Sequence, residues 1–235
     1  MKRIYLILCS FLWVTSYAQT VDEIIKQNAD AMGGLDAIKN VKTARFTGTI
    51  TIQGNDYPLT IQVVNGKAFR TDATIMDQAL VNAYMDGKGW KINPFGGFNT
   101  PTDVEGTELN DFKSQASLAS VLMDYKSLGH TAELIGEKDV EGVKTHEIKL
   151  TLKEDGRVLY FYISQGDHLL IKMVSSREIQ GEIRDIETMY SNLKEVGGLK
   201  FFMTRDQSID GQVIQTINFT QVDLNVPVDN KIFEK

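Results

Sequence analysis

Alternating apolar and polar residues form the dominant pattern of the chain, starting near Val41. In Thr43–Gln53, every second side chain is apolar or small, and the side chains between them are mostly polar. Successive side chains of a strand point to opposite faces, so this period of two predicts a half-buried β-strand. Its apolar face carries Ala44, Phe46, Gly48, Ile50 and Ile52.

Turn signals divide the remaining pattern into strands. Asn65-Gly66 has the composition of a two-residue hairpin turn, and later turn signals recur roughly every 10 to 15 residues, as in an antiparallel meander. We therefore predict a mainly β protein of the α+β type, with a single strongly curved antiparallel sheet of roughly nine to eleven strands. The later turns are Glu141-Gly142, Asp155-Gly156, Gln165-Gly166-Asp167, Gln180-Gly181, Gly197-Gly198 and Asp210-Gly211.

Two segments have helical rather than strand periodicity. Thr20–Met32 repeats its apolar residues at helical spacing, and Thr20 with Glu23 has the spacing of a capping box. The second segment, about Leu109–Leu128, also has one apolar side and is followed by Gly129. Both helices are predicted to lie against the sheet, because an apolar stripe must be buried.

Pro94–Gly106 lacks a clear period and contains Pro94, Pro101, Gly96 and Gly97. We predict a long loop here. Loops of this length inside a compact domain are usually functional or mobile.

The first 18 residues have the three parts of a secretory signal. Lys2 and Arg3 precede an apolar run, and Ser16-Tyr17-Ala18 supplies small residues before a cleavage point after Ala18. The run is shorter than the roughly 20 residues of a membrane-spanning helix, although an uncleaved anchor is the alternative. The predicted organisation is a cleaved signal peptide, 1–18, and one exported domain, 19–235, located in the periplasm.

The charge and the cysteine content of the chain limit how it could be anchored or cross-linked and which partners it could bind. Cys9, the only cysteine, lies inside the apolar run, so neither a lipid anchor at the cleavage point nor a disulfide is expected. The chain has 25 basic and 31 acidic residues. Scattered basic residues on an acidic chain do not form the positive patch that nucleic acid requires, so no nucleic-acid partner is predicted.

Sequence motifs for catalysis, metals and cofactors are missing. The histidines at 130, 146 and 168 lack metal-ligand spacing, and no nucleophile elbow or phosphate-binding glycine loop is present. His146 shares a predicted strand face with Ile148 and Leu150, where a catalytic base or a core histidine would both fit, and the core is favoured. We predict no enzyme, no metal and no cofactor.

Large apolar residues on the predicted strands are the candidates for ligand binding. Each could belong to an ordinary core, but together they could line a cavity for acyl chains. Burying one methylene gains ~0.8 kcal/mol, so a ~14-carbon chain gains on the order of 10 kcal/mol before ordering costs. The candidate residues are Met85, Trp90, Ile92, Phe95, Leu122, Tyr160, Tyr162, Ile171, Met173, Met189, Phe201 and Met203.

Three short segments resemble the LolA-like superfamily of periplasmic lipoprotein carriers, in the form common among exported proteins of Bacteroidetes. They are GKAFR at Gly66–Arg70, MDGKGWKINPF at Met85–Phe95 and VDLNVPVDNKIFEK at Val222–Lys235. The resemblance implies an incomplete β-barrel with a helical lid over an apolar cavity. It also implies cargo consisting of acyl lipid or lipoprotein, with membrane proteins of the envelope as further partners.

Arg70 is the candidate for a lid latch on the same resemblance. Family members hold the lid with a basic residue in a Lys-Arg-Pro segment, which this chain lacks, so a surface charge at a strand end is an equal alternative. For the whole protein, two other functions stay open: a non-catalytic interaction or sensor domain of an envelope complex, and a hydrolase of unrecognised type.

Overall fold

The computed structural model describes residues 19–179 and 181–235. The predicted signal peptide lies outside the described residues. In the described part of the chain, no helix is both long and apolar enough to cross a membrane.

One antiparallel sheet of 13 strands makes up most of the structure, and it is not closed into a barrel. The prediction of a curved, mainly β sheet is confirmed, although the strands are more numerous than expected. Asn65-Gly66 and Asp210-Gly211 connect neighbouring strands as predicted. The strands are β1 (Thr43–Ile52), β2 (Asn55–Val64), β3 (Ala68–Ile75), β4 (Gln78–Met85), β5 (Lys88–Asn93), β6 (Phe98–Val104), β7 (Thr131–Val140), β8 (Val143–Thr151), β9 (Val158–Ser164), β10 (Leu170–Ile179), β11 (Glu182–Val196), β12 (Leu199–Ile209) and β13 (Gln212–Leu224).

The first and last strands pair with each other in the middle of the sheet. Neighbouring strands follow the order β6-β5-β4-β3-β2-β1-β13-β12-β11-β10-β9-β8-β7. The β1–β13 pairing therefore joins two meanders, β1–β6 and β7–β13. It contains a register shift at Thr47/Gly48.

Four short α-helices accompany the sheet in the described residues: α1 (Val21–Ala31), α2 (Leu35–Asn40), α3 (Gly106–Gln115) and α4 (Tyr125–Leu128). The predicted capping box begins α1. The Thr20 hydroxyl accepts a hydrogen bond from the amide of Glu23, and the Glu23 carboxylate accepts one from the amide of Thr20. Two 3₁₀ segments, Pro94–Gly96 and Asn230–Phe233, complete the elements.

The prediction of one helix over Leu109–Leu128 is wrong, because α3 ends at Gln115 and α4 begins only at Tyr125. The backbone between them bonds to the β2–β3 turn instead of continuing the helix. The carbonyl of Ala116 accepts from the amide of Gly66 at 2.7 Å, and the amide of Leu118 donates to Asn65 Oδ1 at 2.9 Å. Tertiary hydrogen bonds thus replace helical ones.

The prediction of a long loop over Pro94–Gly106 is also wrong. A 3₁₀ turn and strand β6 occupy most of it, and Val104 pairs with Gly89 of β5. In β6 only Val104 is buried. An edge strand that is solvated on both faces has no need for apolar alternation, so its sequence lacks the strand signal.

The α-helical segments and the main core share one face of the sheet, which we call the inner face. Ile24 and Ile25 of α1 pack with Ile148 of β8, and Phe112 of α3 packs with Phe69 of β3. The rings of Phe69 and Phe112 are 5.3 Å apart and nearly perpendicular. The opposite face is called the outer face.

Candidate functional site

Aromatic and aliphatic side chains from the centre of the sheet line the inner face. Phe46 of β1 lies 5.7 Å from Phe201 of β12 and 5.2 Å from Phe219 of β13, measured between ring centroids. Met203 belongs to the same cluster. Strand register produces this wall, because Gly48, the next inner position after Phe46, lies opposite Phe219.

Helix α3 and the chain after it cover part of this wall. Leu118 packs against the cluster around Phe46, and Leu122 against the cluster around Ile148. The sequence pattern supplied the apolar residues of this covering segment, but its shape depends on the contacts with the β2–β3 turn.

Ion pairs hold α3 to strands on both sides of it. The ammonium group of Lys91, in β5, lies 2.7 Å from the carboxylate of Glu108. The carboxylate of Asp111 lies 2.8 Å from the guanidinium of Arg157 and 3.2 Å from that of Arg177, in β10. Charge-assisted bonds to guanidinium groups are among the stronger side-chain contacts. The helix therefore bridges the two meanders, a role that no sequence signal indicated.

The candidate binding residues are divided between the two faces. Four lie on the inner face: Leu122, Met173, Phe201 and Met203. Phe95 lies in the first 3₁₀ segment, where 54% of its surface is exposed. The others belong to the outer face, namely Met85, Trp90, Ile92, Tyr160, Tyr162, Ile171 and Met189.

Strand parity explains this division. Trp90 lies opposite Ala83, and Tyr160 opposite Val174, in small clusters that the α-helices do not cover. Sequence alternation groups the residues of one strand correctly. It does not say which group faces the helices.

Arg70 also lies on the outer face, where it holds the C-terminal 3₁₀ segment and not an α-helix. Its guanidinium bonds Asp72 and the carbonyl of Ile232, and lies 5.4 Å from the ring of Trp90. Trp90 Nε1 donates to the carbonyl of Phe233 at 2.8 Å.

Several polar side chains interrupt the apolar inner face near its centre. Arg205 lies opposite Tyr190 of β11 and Ile217 of β13, and the side-chain amide of Gln215 donates to Gln207 at 2.6 Å. Burial raises the pKa of Tyr190, and the nearby Arg205 opposes this effect. Sequence reasoning missed Arg205, although the alternation places it on the same face as Phe201 and Met203.

Two histidines are buried beside the helical segments. His146 lies opposite Ile163 and is 9% exposed, and burial lowers its pKa. His130 is equally buried, which also lowers its pKa, and its Nδ1 accepts the amide of Lys153 at 3.2 Å. Burial therefore favours the neutral form of both side chains.

Acidification is expected to destabilise the protein as the pH falls below about 6.5, the ordinary pKa of histidine. At such a pH the histidines of the unfolded chain bind protons, whereas those of the folded protein, whose pKa values are lowered, bind fewer. The free energy of unfolding therefore decreases. Urea denaturation at about pH 7.5 and 5.5 measures this decrease. In the variant His146→Leu, the free energy of unfolding should fall less between the two pH values than it does in the parent protein. If it falls by the same amount, His146 does not contribute.

No protein-family profile matches the chain, and no curated protein does. Solved structures, in contrast, do match the chain. A LolA superfamily protein from Nitrosomonas europaea aligns with a TM-score of 0.61 at 12% identity, over 93% of this chain and 99% of that one.

Two further structures are similar to the same extent. A DUF1329 family protein from Desulfovibrio piger has a TM-score of 0.61 at 10% identity, covering 92% of this chain and 98% of that one. A putative outer membrane lipoprotein-sorting protein domain from Vibrio parahaemolyticus has a TM-score of 0.59 at 10% identity, covering 91% and 95%. With a single unclosed antiparallel sheet and helices on one face, this chain has the LolA-like fold.

Proposed function

We propose that this protein is a periplasmic carrier that binds lipid, or the acyl chains of lipoproteins, on the inner face of its sheet. Residues 1–18 would direct export and be removed, and residues 19–235 would form one non-catalytic binding domain. The observation that carries the proposal is the apolar inner wall around Phe46 and Phe219, lying beneath helical segments in a sheet that does not close.

The composition of this wall suits acyl chains. Aromatic rings and methionine present apolar surface, and methionine adapts its shape to different ligands. Several inner side chains, including Met173, Phe201 and Ile217, remain half-buried although they point toward the helices' side of the sheet. Half-buried apolar side chains in a covered face leave surface for a ligand to bury.

A matched pair of methionines tests the proposal. Met173 of β10 and Met189 of β11 are both half-buried, but Met173 lies on the inner face and Met189 on the outer face. Residues 19–235 would be purified from a Gram-negative periplasm and weighed by native mass spectrometry, with lipid extraction in parallel. We expect an acyl lipid or acylated peptide to co-purify, to be lost in Met173→Glu, and to be retained in Met189→Glu.

Folding controls and the opposite result complete this experiment. Both variants should keep the circular dichroism spectrum of the parent protein, so that loss of lipid is not loss of fold. A parent protein that is free of ligand, and stays so after incubation with phospholipid and a purified lipoprotein, would contradict the carrier function.

An envelope interaction or sensor domain is the second candidate, and one observation favours it. Large apolar side chains are exposed at the end of the sheet formed by the β3–β4, β10–β11 and β12–β13 connections, which we call the distal rim. Met76 is 59% exposed, Ile183 72% and Val213 62%. Exposed apolar side chains often bind proteins or membranes where they form a continuous patch. Cross-linking to an envelope protein that is lost in Ile183→Asp, without any bound lipid in the parent, would favour this function.

A further inference from the structure

Arg205 is distinguished from the other arginines of residues 19–179 and 181–235 by its lack of an acidic partner. Arg45, Arg70, Arg157, Arg177 and Arg184 each lie within ion-pair distance of a carboxylate. No carboxylate of the described residues lies that close to Arg205. Its side chain nevertheless lies on the inner face, where it is half-buried.

Two aromatic rings lie close to the Arg205 guanidinium. Its Cζ lies 5.4 Å from the centroid of Phe219 and 5.9 Å from that of Tyr190. The Nε atom is buried, and no described residue accepts its hydrogen bond. Cation–π contact stabilises the charge in part, but a ring does not replace a hydrogen-bond acceptor.

A second unpaired polar atom lies beside it. Thr188 is 2% exposed, and its Oγ1 has no hydrogen-bond partner among the described residues. Thr188 lies two residues before Tyr190 on β11 and opposite Gln207, which itself lies two residues after Arg205 on β12. Both unpaired groups are thus on the same face of two neighbouring strands.

Leaving the buried Nε of Arg205 and the buried hydroxyl of Thr188 without partners costs free energy, which a bound acceptor would recover. A guanidinium presents its donors in a plane that matches a carboxylate or a phosphate. We infer that Arg205, with Thr188, binds the anionic headgroup of an acyl lipid, a carboxylate or a phosphate, while the acyl chain lies along Phe46, Phe201 and Phe219. This inference rests on the proposed function and names the class of its ligand.

The acylated end of a bacterial lipoprotein carries ester, thioether and amide groups without charge, so it would leave Arg205 unpaired. An ionised fatty acid or lysophosphatidate would pair with it. The inner face therefore favours a free anionic lipid over the acyl chains of a lipoprotein.

Ligands that share a chain length but differ in charge test this inference. Palmitate, palmitoyl-lysophosphatidate and uncharged monopalmitoylglycerol would be titrated into delipidated protein by isothermal calorimetry, with acetate and inorganic phosphate as headgroups without a chain. We expect the anionic lipids to bind more tightly than monopalmitoylglycerol by about tenfold to a hundredfold, which is typical of a charged hydrogen bond. Acetate and phosphate should bind far more weakly than either anionic lipid.

Variants separate the role of Arg205 from a structural one. Arg205→Met should abolish the preference for anionic lipids, keep the affinity for monopalmitoylglycerol and leave the midpoint of thermal unfolding at or above that of the parent, because an unpaired cation is removed. Arg45→Met, which removes an outer-face arginine, should keep the full preference.

The outcomes distinguish two failures. If none of the three lipids binds, the proposed function fails. If all three bind equally, or if Arg205→Met keeps the preference, the carrier function stands and the headgroup inference is overturned. Acetate or phosphate binding as tightly as the lipids would also overturn it, by making this a site for a free anion. So would loss of monopalmitoylglycerol binding together with a lowered unfolding midpoint in Arg205→Met, which would make Arg205 a structural residue.

Discussion

Replacing Gly48 by alanine is expected to lower the free energy of unfolding by about 3 kcal/mol or more, at or beyond the upper end of the usual cost of overpacking. A Cβ at this position would lie 2.0 Å from the carbonyl oxygen of Asn218 and 2.7 Å from Cα of Phe219. These are backbone atoms of β13, so no side chain can rotate away. Either β1 or β13 must move.

The position of Gly48 makes this effect large. It lies at the register shift between β1 and β13, the pairing that joins the two meanders. Separating these strands would also disturb the cluster of Phe46 and Phe219 on the inner face. Binding of lipid should therefore weaken together with stability.

Gly166 provides the matched control. It has no left-handed backbone, and a Cβ there would meet only Ser164 Oγ, at 3.8 Å. Urea denaturation followed by circular dichroism should place Gly166→Ala within about 0.5 kcal/mol of the parent protein. If Gly48→Ala is equally mild, the close approach of β1 and β13 is not as described.

Replacing Phe233 by alanine is expected to cost about 3–5 kcal/mol, as for other fully buried phenylalanines. Phe233 is 2% exposed and ends the 3₁₀ segment that covers Trp90 on the outer face. Its truncation removes buried apolar surface and loosens the segment whose carbonyls bond Trp90 and Arg70.

Phe95→Ala is the control for this variant, since 54% of Phe95 is exposed. Thermal and urea unfolding of both variants give the comparison. Phe95→Ala should unfold within about 0.5 kcal/mol of the parent. If Phe233→Ala has the same free energy of unfolding as Phe95→Ala, the C-terminal segment does not pack on the sheet in solution.

The segments that carry the family resemblance meet in the structure. Trp90 contacts both Arg70 and the carbonyl of Phe233 on the outer face, and Arg70 donates to the carbonyl of Ile232. These contacts fasten the C-terminal segment to the sheet. The resemblance therefore predicted the fold successfully, while its residues lie away from the inner face where we propose that the ligand binds.

Local sequence alone determined the parts of this protein that depend on neighbouring residues. The capping box of Thr20 and Glu23, the turn at Asn65-Gly66 and the alternation in β1 follow from hydrogen bonds and side-chain directions within a few positions. Each was predictable because the competing structures would leave polar groups unpaired or apolar groups exposed.

Only the tertiary structure decided which face of each strand meets the helices. Trp90 and Met173 are both large and apolar on regular strands, yet they lie on opposite faces. The irregular chain after α3 is held by the β2–β3 turn, which is distant in sequence, and strand β6 is defined only by its pairing with β5; periodicity registers neither contact. Arg205 became a candidate once its neighbours were known, because the absence of an acidic partner depends on the pairing of β11, β12 and β13.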